Sequence, residues 1–526
     1  MLLPPLGIEE CNAINIEYDK HTDQFSSRKK IKGHVVDSKG EILIGATVKV
    51  KGEPDGAITN AEGKFSLVVE QDAVLQISFV GCETKEVPVR GQTEFEILLK
   101  EDAVMLDPVI VTALGIEKKE SSLSYSAMQL KSDELNRVKD PNMITALAGK
   151  AAGVQISKNS LGPGASAKVS IRGIRSVVSD NQPLYVIDGV PMLNSTSEQA
   201  YSAIGGTANA GNRDGGDGIS NLNPEDVESI TILKGAPAAA LYGSQAANGV
   251  ILITTKKGSE SGVHKVSFST SLTVDNAFSL PEMQNRYGVS DDVDSWGAKA
   301  ELPDQDNLKN FFRTGFTSIT SISVSHGNEK LQNYFSYANT SGRGIIDKNQ
   351  LSKHNLNFRE TSSLFNGRLK LDGSVNVMRQ VVKNKPVTGG FYMNPLVGLY
   401  RFPRGEDLSY YKDHFEVYDE DRKLNVQNWH TSFEDFEQNP YWIVNRIQSK
   451  DTRSRIITSL SARVKVNDWL DIQARGTMDY ANDKLRQKFY ASTAPALAGV
   501  NGRYIEMDYQ EVLLYGDVMA TAKKKW

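Results

Sequence analysis

The feature that most constrains this chain is a strict alternation of apolar and polar residues over most of its second half. In Lys265–Val274, Val266, Phe268, Thr270, Leu272 and Val274 fall on one face, and Lys265, Ser267, Ser269, Ser271 and Thr273 on the other. The same division recurs over 368–378, 454–466 and 470–480, and more weakly over 318–326, 331–340 and 352–360. Side chains of a strand point alternately to opposite faces, so each segment reads as a strand with one apolar and one charged face. The segments run to about 9–11 residues, the length that crosses a bilayer in a β-barrel. A large soluble sheet also alternates, although its strands are usually shorter, about 5–6 residues. The connections alternate too. Residues 275–317 and 379–453 are long, whereas 327–330, 361–367 and 467–469 are short, the asymmetry of a barrel with short periplasmic turns and long external loops.

Just before this region, Asn221–Gly258 has a different texture. Ser229–Leu233 and Gly249–Thr254 are β-branched runs typical of buried strands. Between them lies an Ala-rich helical turn bracketed by Gly235 and Gly243, and Asn223–Pro224 suits a cap and first helical position. Upstream, Lys139–Val154 reads as a short helix capped by Asp140 and ended by Gly153, and Val154–Ser157 as a strand. Asp188-Gly189 reads as a tight hairpin turn after Leu184–Ile187. Residues 192–220 read as a Gly/Asn/Ser-rich loop, with Asp214 and Asp217 a plain turn cluster, since they lack the ligand spacing of a calcium loop.

Several motifs here occur together and in order: IRGIRS at 171–176, PLYVIDGVP at 183–191 and LKGAPAAALYGSQAANGVILITTKKG at 233–258. They resemble the plug of TonB-dependent outer-membrane transporters, and more narrowly the SusC/RagA branch. The motif residues carried over are Arg172, Gly173, Arg175, Asp188, Gly189, Lys234, Gly235, Tyr242, Gly243, Asn248 and Gly249. A plug sits in a polar lumen, so Arg172 and Arg175 are expected to pair with charged wall residues, against the alternative of solvent exposure.

Residues 31–100 carry seven short apolar runs separated by turn signals, a spacing that suggests a β-sandwich. This stretch resembles the carboxypeptidase-regulatory-like domain that precedes the plug in SusC-type proteins, with Cys82 a small half-buried apolar residue. At the next junction the resemblance places the TonB box, on Leu106, Asp107, Val109, Ile110, Val111 and Thr112. An extended segment of this kind adds edge-to-edge to a strand of TonB. The alternative is that Val109–Thr112 is the last strand of the preceding module or an ordered linker.

The reading is therefore mainly β: residues 1–29 irregular, 30–100 a carboxypeptidase-regulatory-like sandwich, 101–120 the TonB-box linker, 121–258 an α+β plug, and 259–526 the first part, about seven strands, of an incomplete transmembrane barrel. The long 379–453 connection is rich in aromatic residues, including Tyr400, Phe402, Tyr410, Tyr411, Trp429 and Trp442. It is either a ligand-facing loop or a loop with its own small core. By resemblance the partners are TonB, a SusD-like lipoprotein, a glycan or peptide ligand and outer-membrane lipid. Barrels of this kind have about 22 strands, so the resemblance implies a truncated or split frame, or a fragment. The start of the chain has no export signal, which leaves export of this polypeptide in question.

Other classes fare worse. Lys+Arg 60 against Asp+Glu 64 gives a net charge of −4, without the basic surface of a nucleic-acid binder. Two cysteines, far apart, do not make a disulfide framework or support a zinc site. There is no Ser/His/Asp, metal or paired-carboxylate constellation, so neither catalysis nor a cofactor is expected. A non-transporting adhesion or scaffold protein and a secreted carbohydrate-active enzyme are the rival readings.

Overall fold

A computed structural model describes residues 28–37, 40–52, 56–79, 82–100, 109–111, 117–119, 127–136, 139–158, 162–176, 181–194, 214–259, 262, 264–290, 296–387, 392–431 and 437–523. The chain divides into two units, Met1–Pro108 and Val109–Trp526.

The first unit is a sandwich of seven strands: β1 Lys29–Val36, β2 Thr47–Val50, β3 Gly56–Ile58, β4 Lys64–Val69, β5 Val74–Ser78, β6 Lys85–Pro88 and β7 Glu94–Leu98. They form two sheets, ordered β4-β1-β7 and β3-β2-β5-β6. Alternate residues point inward, so Ile31 and Val35 of β1 meet Val48 of β2, Leu75 and Ile77 of β5 and Ile97 of β7 in one core. Cys82 is half-buried against that core, as its sequence context implied.

The second unit opens with two three-residue strands, β8 Val109–Val111 and β9 Glu117–Lys119, which pair as an antiparallel hairpin. Then come β10 Ala127–Lys131, β11 Val154–Lys158, β12 Ala167–Ile171, β13 Leu184–Ile187, β14 Val190–Pro191, β15 Val227–Leu233 and β16 Val250–Thr255. Five of them form a sheet ordered β10-β15-β16-β13-β14. Ile230, Ile232, Ile251 and Ile253 enter a core on one face, and Leu233, Val250 and Leu252 enter a second core on the other. Burial on both faces explains the β-branched and aliphatic runs at Ile230–Leu233 and Val250–Ile253, in which Thr231 is the one polar residue. Asp188 and Gly189 turn β13 into β14 with φ of 47° and 87°, the left-handed pair a tight hairpin requires.

One expected helix is not there. Lys139–Val154 contains a single 3₁₀ turn, Met143–Leu147, and its cap is Asn142 rather than Asp140: the Asn142 side chain accepts from the Ile144 N–H at 3.2 Å. Gly149 and Gly153, at φ of 75° and 71°, then turn the chain out of helical geometry.

The remaining strands form a second sheet: β17 Lys265–Asp275, β18 Gly315–Gly327, β19 Leu331–Arg343, β20 Gln350–Leu364 and β21 Leu369–Lys383. After a loop hairpin of β22 Glu416–Asp419 and β23 Leu424–Gln427 come β24 Ile447–Lys465, β25 Leu470–Phe489 and β26 Arg503–Ala522. The order is β17-β18-β19-β20-β21-β24-β25-β26, all antiparallel, a partial barrel of eight strands rather than the seven expected. The missed strand, β26, is 20 residues long. Its polarity pattern inverts half-way. Tyr504, Glu506, Asp508 and Gln510 share a face with Val512, Leu514, Val518 and Ala520, so no single alternation marks it.

That shared face turns away from the plug and is apolar across all eight strands, from Phe268 and Leu272 through Tyr337, Phe358, Val375 and Leu460 to Leu514 and Val518, all exposed. The belt is slanted. Following cross-strand partners from Thr270, at the belt's centre on β17, leads to Thr320, Asn339, His354, Arg379, Ser454, Asn482 and finally Gln510. The centre on β26 lies about six residues further along, near Gly516. That is roughly 20 Å along the strand across seven spacings of about 4.8 Å, a tilt of roughly 30°. Outer-membrane barrels tilt by about 35–45°.

Candidate functional site: the plug–wall interface and the β8 strand

The inward face of the wall carries polar and cationic side chains that grip the plug. Alternation puts Lys353, Asn355 and Arg359 of β20 and Arg453 and Arg455 of β24 on this face, all buried. Arg455 makes the densest contact. Its Nε and Nη2 donate to Asp479 of β25 at 2.8 and 2.6 Å, and the two side chains are 1% and 2% exposed. With the fork fixed by this bidentate pair, Nη1 donates to the carbonyl of Gly218 at 2.7 Å and to Asn221 Oδ1 at 3.1 Å, and Nη2 to the carbonyl of Leu193 at 2.6 Å. Asp479 completes the joint by accepting from the Leu193 N–H at 3.1 Å.

A second joint centres on Arg359. Its Nε and Nη2 bind Asp372 of β21, each at 2.9 Å, while Nη1 reaches Asp188 of the plug hairpin at 2.9 Å and Thr255 Oγ1 at 2.6 Å. Asp188 in turn accepts from the N–H and hydroxyl of Thr255, so one carboxylate both closes the plug sheet and meets the wall. Lys353 donates to the carbonyls of Pro141 and Ser220 at 2.8 and 2.9 Å, Asn355 to the carbonyl of Asn221, and the Tyr334 hydroxyl to Asp226 at 3.0 Å. Lys385, just past β21, donates to the carbonyl of Asp214 at 2.8 Å.

The segment these groups grip, Asp214–Asp226, is organised by its own acids. Asp217 accepts from Asn142 Nδ2 at 2.8 Å and from the N–H groups of Ala167 and Ser220 at 2.7 and 2.8 Å. Burial pushes its carboxyl up, against the pull of those donors. Asp214 is buried as well, but Lys385 and the N–H groups of Ser166 and Gly216 outweigh burial and hold its carboxyl below the usual range. Burial raises Asp226, which faces Tyr334, Ser336 and Asn223. These acids are therefore not a plain turn cluster. They are buried hubs holding a loop of poor intrinsic order in one shape, and the loop composition that hid them is what leaves so many backbone N–H groups to be satisfied.

Gly218 allows the close approach. A Cβ there would lie 2.3 Å from the carbonyl oxygen of Leu193 and 2.7 Å from the Asn194 Cα. Gly218→Ala is expected to force the Leu193–Asn194 strand off Arg455. The check is amide hydrogen exchange: at least tenfold faster exchange at Leu193 and Ser220–Leu222, with β4 and β5 of the first unit unchanged.

Arg172 and Arg175 stand in the solvent-exposed alternative here. Both are exposed, and among the described residues neither has an ion-pair partner in the wall. Arg175 instead donates to the carbonyl of Ala247 at 2.7 Å, within the plug. The charge relation runs the other way, from the plug's Asp188 to the wall's Arg359. The remaining motif residues make their contacts or turns within the plug itself. Gly173, Gly235, Gly243 and Gly249 have positive φ, Lys234 donates to the carbonyl of Ala152, Tyr242 packs on the second plug core, and Asn248 donates to the carbonyl of Gln182 at 3.4 Å. At Gly249, with φ of 98°, a Cβ would meet Ile171 at 2.9 Å.

Of the TonB-box residues, Leu106, Asp107 and Thr112 lie outside the described residues. Val109, Ile110 and Val111 form β8, which pairs with Lys119, Lys118 and Glu117 on one edge. The long loop packs into an apolar core that it shares with the 275–317 connection: Phe402 is 1% exposed and packs with Phe311 of that connection and with Leu399 and Leu408, with Tyr400, Tyr411 and Trp429 around them. Trp442 is 1% exposed, and its ring N–H donates to Thr493 at 3.2 Å. These rings are engaged in packing, because long connections need an apolar centre to hold one shape. Tyr410, stacked on His414, stays exposed.

Comparison with known proteins agrees with this geometry. Residues 118–250 match the model of the TonB-dependent receptor plug domain, and residues 31–111 that of the CarboxypepD_reg-like domain. The chain is 35% identical over 367 residues to the TonB-dependent receptor SusC of Bacteroides thetaiotaomicron, covering 68% of this chain and 34% of SusC. It is 27% identical over 500 residues to the TonB-dependent receptor P3 of Formosa agariphila, covering 91% of this chain and 44% of P3. Among solved structures, the RagAB peptide importer in its open-open state shares the fold, with a TM-score of 0.61 at 21% identity over 78% of this chain and 46% of that one. A plug gripped by the inner face of a tilted antiparallel wall is the architecture of the TonB-dependent receptors. The chain belongs to their SusC/RagA family. It spans less than half the length of these relatives.

Proposed function

We propose that this chain forms the TonB-facing part of an outer-membrane importer of a large polar ligand, an oligosaccharide or a peptide. The observation that carries the reading is the opposition of the wall's two faces. One grips a folded plug through buried arginines, and the other exposes an apolar belt over eight strands, far more than the few hundred Å² that soluble proteins leave bare. A surface of that kind belongs in lipid, and the short connections at 328–330, 365–368 and 466–469 mark its periplasmic edge. The plug closes the lumen and TonB acts on it through the strand at Val109–Val111. A SusD-like lipoprotein delivers the ligand from outside, and RagAB, an importer of peptides, offers an analogy for such a cargo. The activity is binding and passage, not covalent chemistry.

The β8–β9 hairpin refines the TonB step. It has only three residue pairs, and among the described strands the other edge of β8 is unpaired. A TonB strand adds to that edge, or replaces β9, by main-chain hydrogen bonds. A peptide of residues 104–116 is expected to bind purified TonB periplasmic domain. Ile110→Pro removes a donor and should lower that affinity at least tenfold in calorimetry. Equal binding of the two peptides would remove β8 from the coupling step.

A further inference from the structure

Above the belt, at the end of the wall that carries the long loops, the outward face turns cationic. Cross-strand partners run Lys383, Lys450, Arg486 and Glu506 in one row across β21, β24, β25 and β26. Alternation places all four outward, since Val382, Arg453 and Leu485 beside them are buried against the inner side. Arg486 is matched by Glu506 at 2.9 Å, and Lys484 by Asp508 at 2.8 Å. Lys383 and Lys450 are different. They sit directly opposite each other on neighbouring strands, both exposed, and among the described residues neither has a carboxylate partner. Arg379, four residues nearer the belt on the same face of β21 and also exposed, adds a third charge for which no carboxylate partner is seen among the described residues. Like charges directly opposed in a sheet are destabilising unless something anionic lies between them.

We propose that Arg379, Lys383 and Lys450 form a site for the anionic headgroup of an outer-leaflet lipid. The proposal rests on reading the wall as membrane-spanning. The headgroup is a phosphate, whose charge suits three cations on one face better than a carboxylate's does, and its acyl chains lie along the belt over Val375, Val377 and Ile456 directly below. The long lysine stems reach down toward the lipid surface while the ammonium groups stay in the polar layer. The belt supplies what a free ion lacks, so the ligand is the lipid and not inorganic phosphate.

The test is a thermal-shift and native mass-spectrometry comparison of the full chain in neutral detergent, with phosphatidylcholine, with phosphatidylglycerol, or with inorganic phosphate. Expected is a rise in Tm and retained lipid adducts with phosphatidylglycerol alone. The variant Lys383→Gln with Lys450→Gln should show at least fivefold fewer adducts and no shift. In neutral detergent this double variant should melt no lower than the parent, because its loss relieves repulsion. That arm separates a lost site from a lost fold. A variant at Lys484, which keeps its own carboxylate partner in the parent, should retain the adducts. Equal response to both lipids, an equal shift with inorganic phosphate, or full adducts on the double variant would overturn the site. Failure of the chain to enter detergent micelles or bilayers at all would instead overturn the membrane reading on which it rests.

Discussion

Arg455→Met is expected to be the most damaging single substitution in the wall. It leaves the Asp479 carboxylate, 2% exposed, without its counter-charge, and it strands the carbonyls of Leu193 and Gly218 and the Asn221 side chain. Breaking a buried pair from one side costs about 3–5 kcal/mol, because the orphaned charge stays buried. The measurement is the denaturant midpoint for loss of plug protection, followed by limited proteolysis between Leu193 and Asp226. Arg455→Met with Asp479→Leu should recover part of the loss, since replacing both partners with apolar groups removes the orphaned charge. Recovery stays incomplete because the plug carbonyls still lack their donor. A single variant as stable as the parent would mean that the joint is not formed.

Arg359→Met is expected to have the next largest effect, for a different reason. Arg359 touches acids of both plug and wall, Asp188 in the plug and Asp372 in the wall. Its loss removes charge-assisted hydrogen bonds to both and leaves two carboxylates facing one another. Hydrogen bonds of this kind contribute about 1.5–3 kcal/mol. Both acids keep some solvent exposure, 20% and 17%, so the cost belongs near the lower part of that range and below that of Arg455. Arg359→Lys separates charge from geometry. A lysine keeps the charge but cannot make the planar fork that spans Asp372 and Asp188 together, so most of the defect should persist. Hydrogen exchange at Asp188 and Thr255 reads the result directly.

Local patterns carried much of the fold. β15 and β16 were visible because their buried stretches are rich in β-branched and aliphatic residues, and Asp188-Gly189 was visible because its turn demands left-handed φ. The seven strands of the N-terminal sandwich followed from turn residues spaced between short apolar runs. What could not be read was whatever depends on a distant partner. Asp217 lies in a stretch that composition marks as loop, and its importance comes from Asn142, Ala167 and Ser220, brought together only by folding. Arg455 stands in a strand with Arg453 and Arg463, and nothing local says which of the three meets the plug. The charged plug motif drew attention to Arg172 and Arg175, whereas the acid beside the turn, Asp188, is the residue that reaches the wall. β26 escaped because its outer face changes from polar to apolar along its length, which is the trace of one strand crossing from the polar layer into the belt.

If one face of the wall holds the plug while the other meets lipid, adjacent residues of β19 report the difference directly. Tyr334 points inward to Asp226, and Phe335 points outward on the belt. A photo-crosslinking phenylalanine analogue placed at position 334, in the chain inserted into membranes, should capture the plug segment around Asn223–Asp226, and the same analogue at 335 should capture lipid. Capture of lipid from 334, or of the plug from 335, would contradict the account.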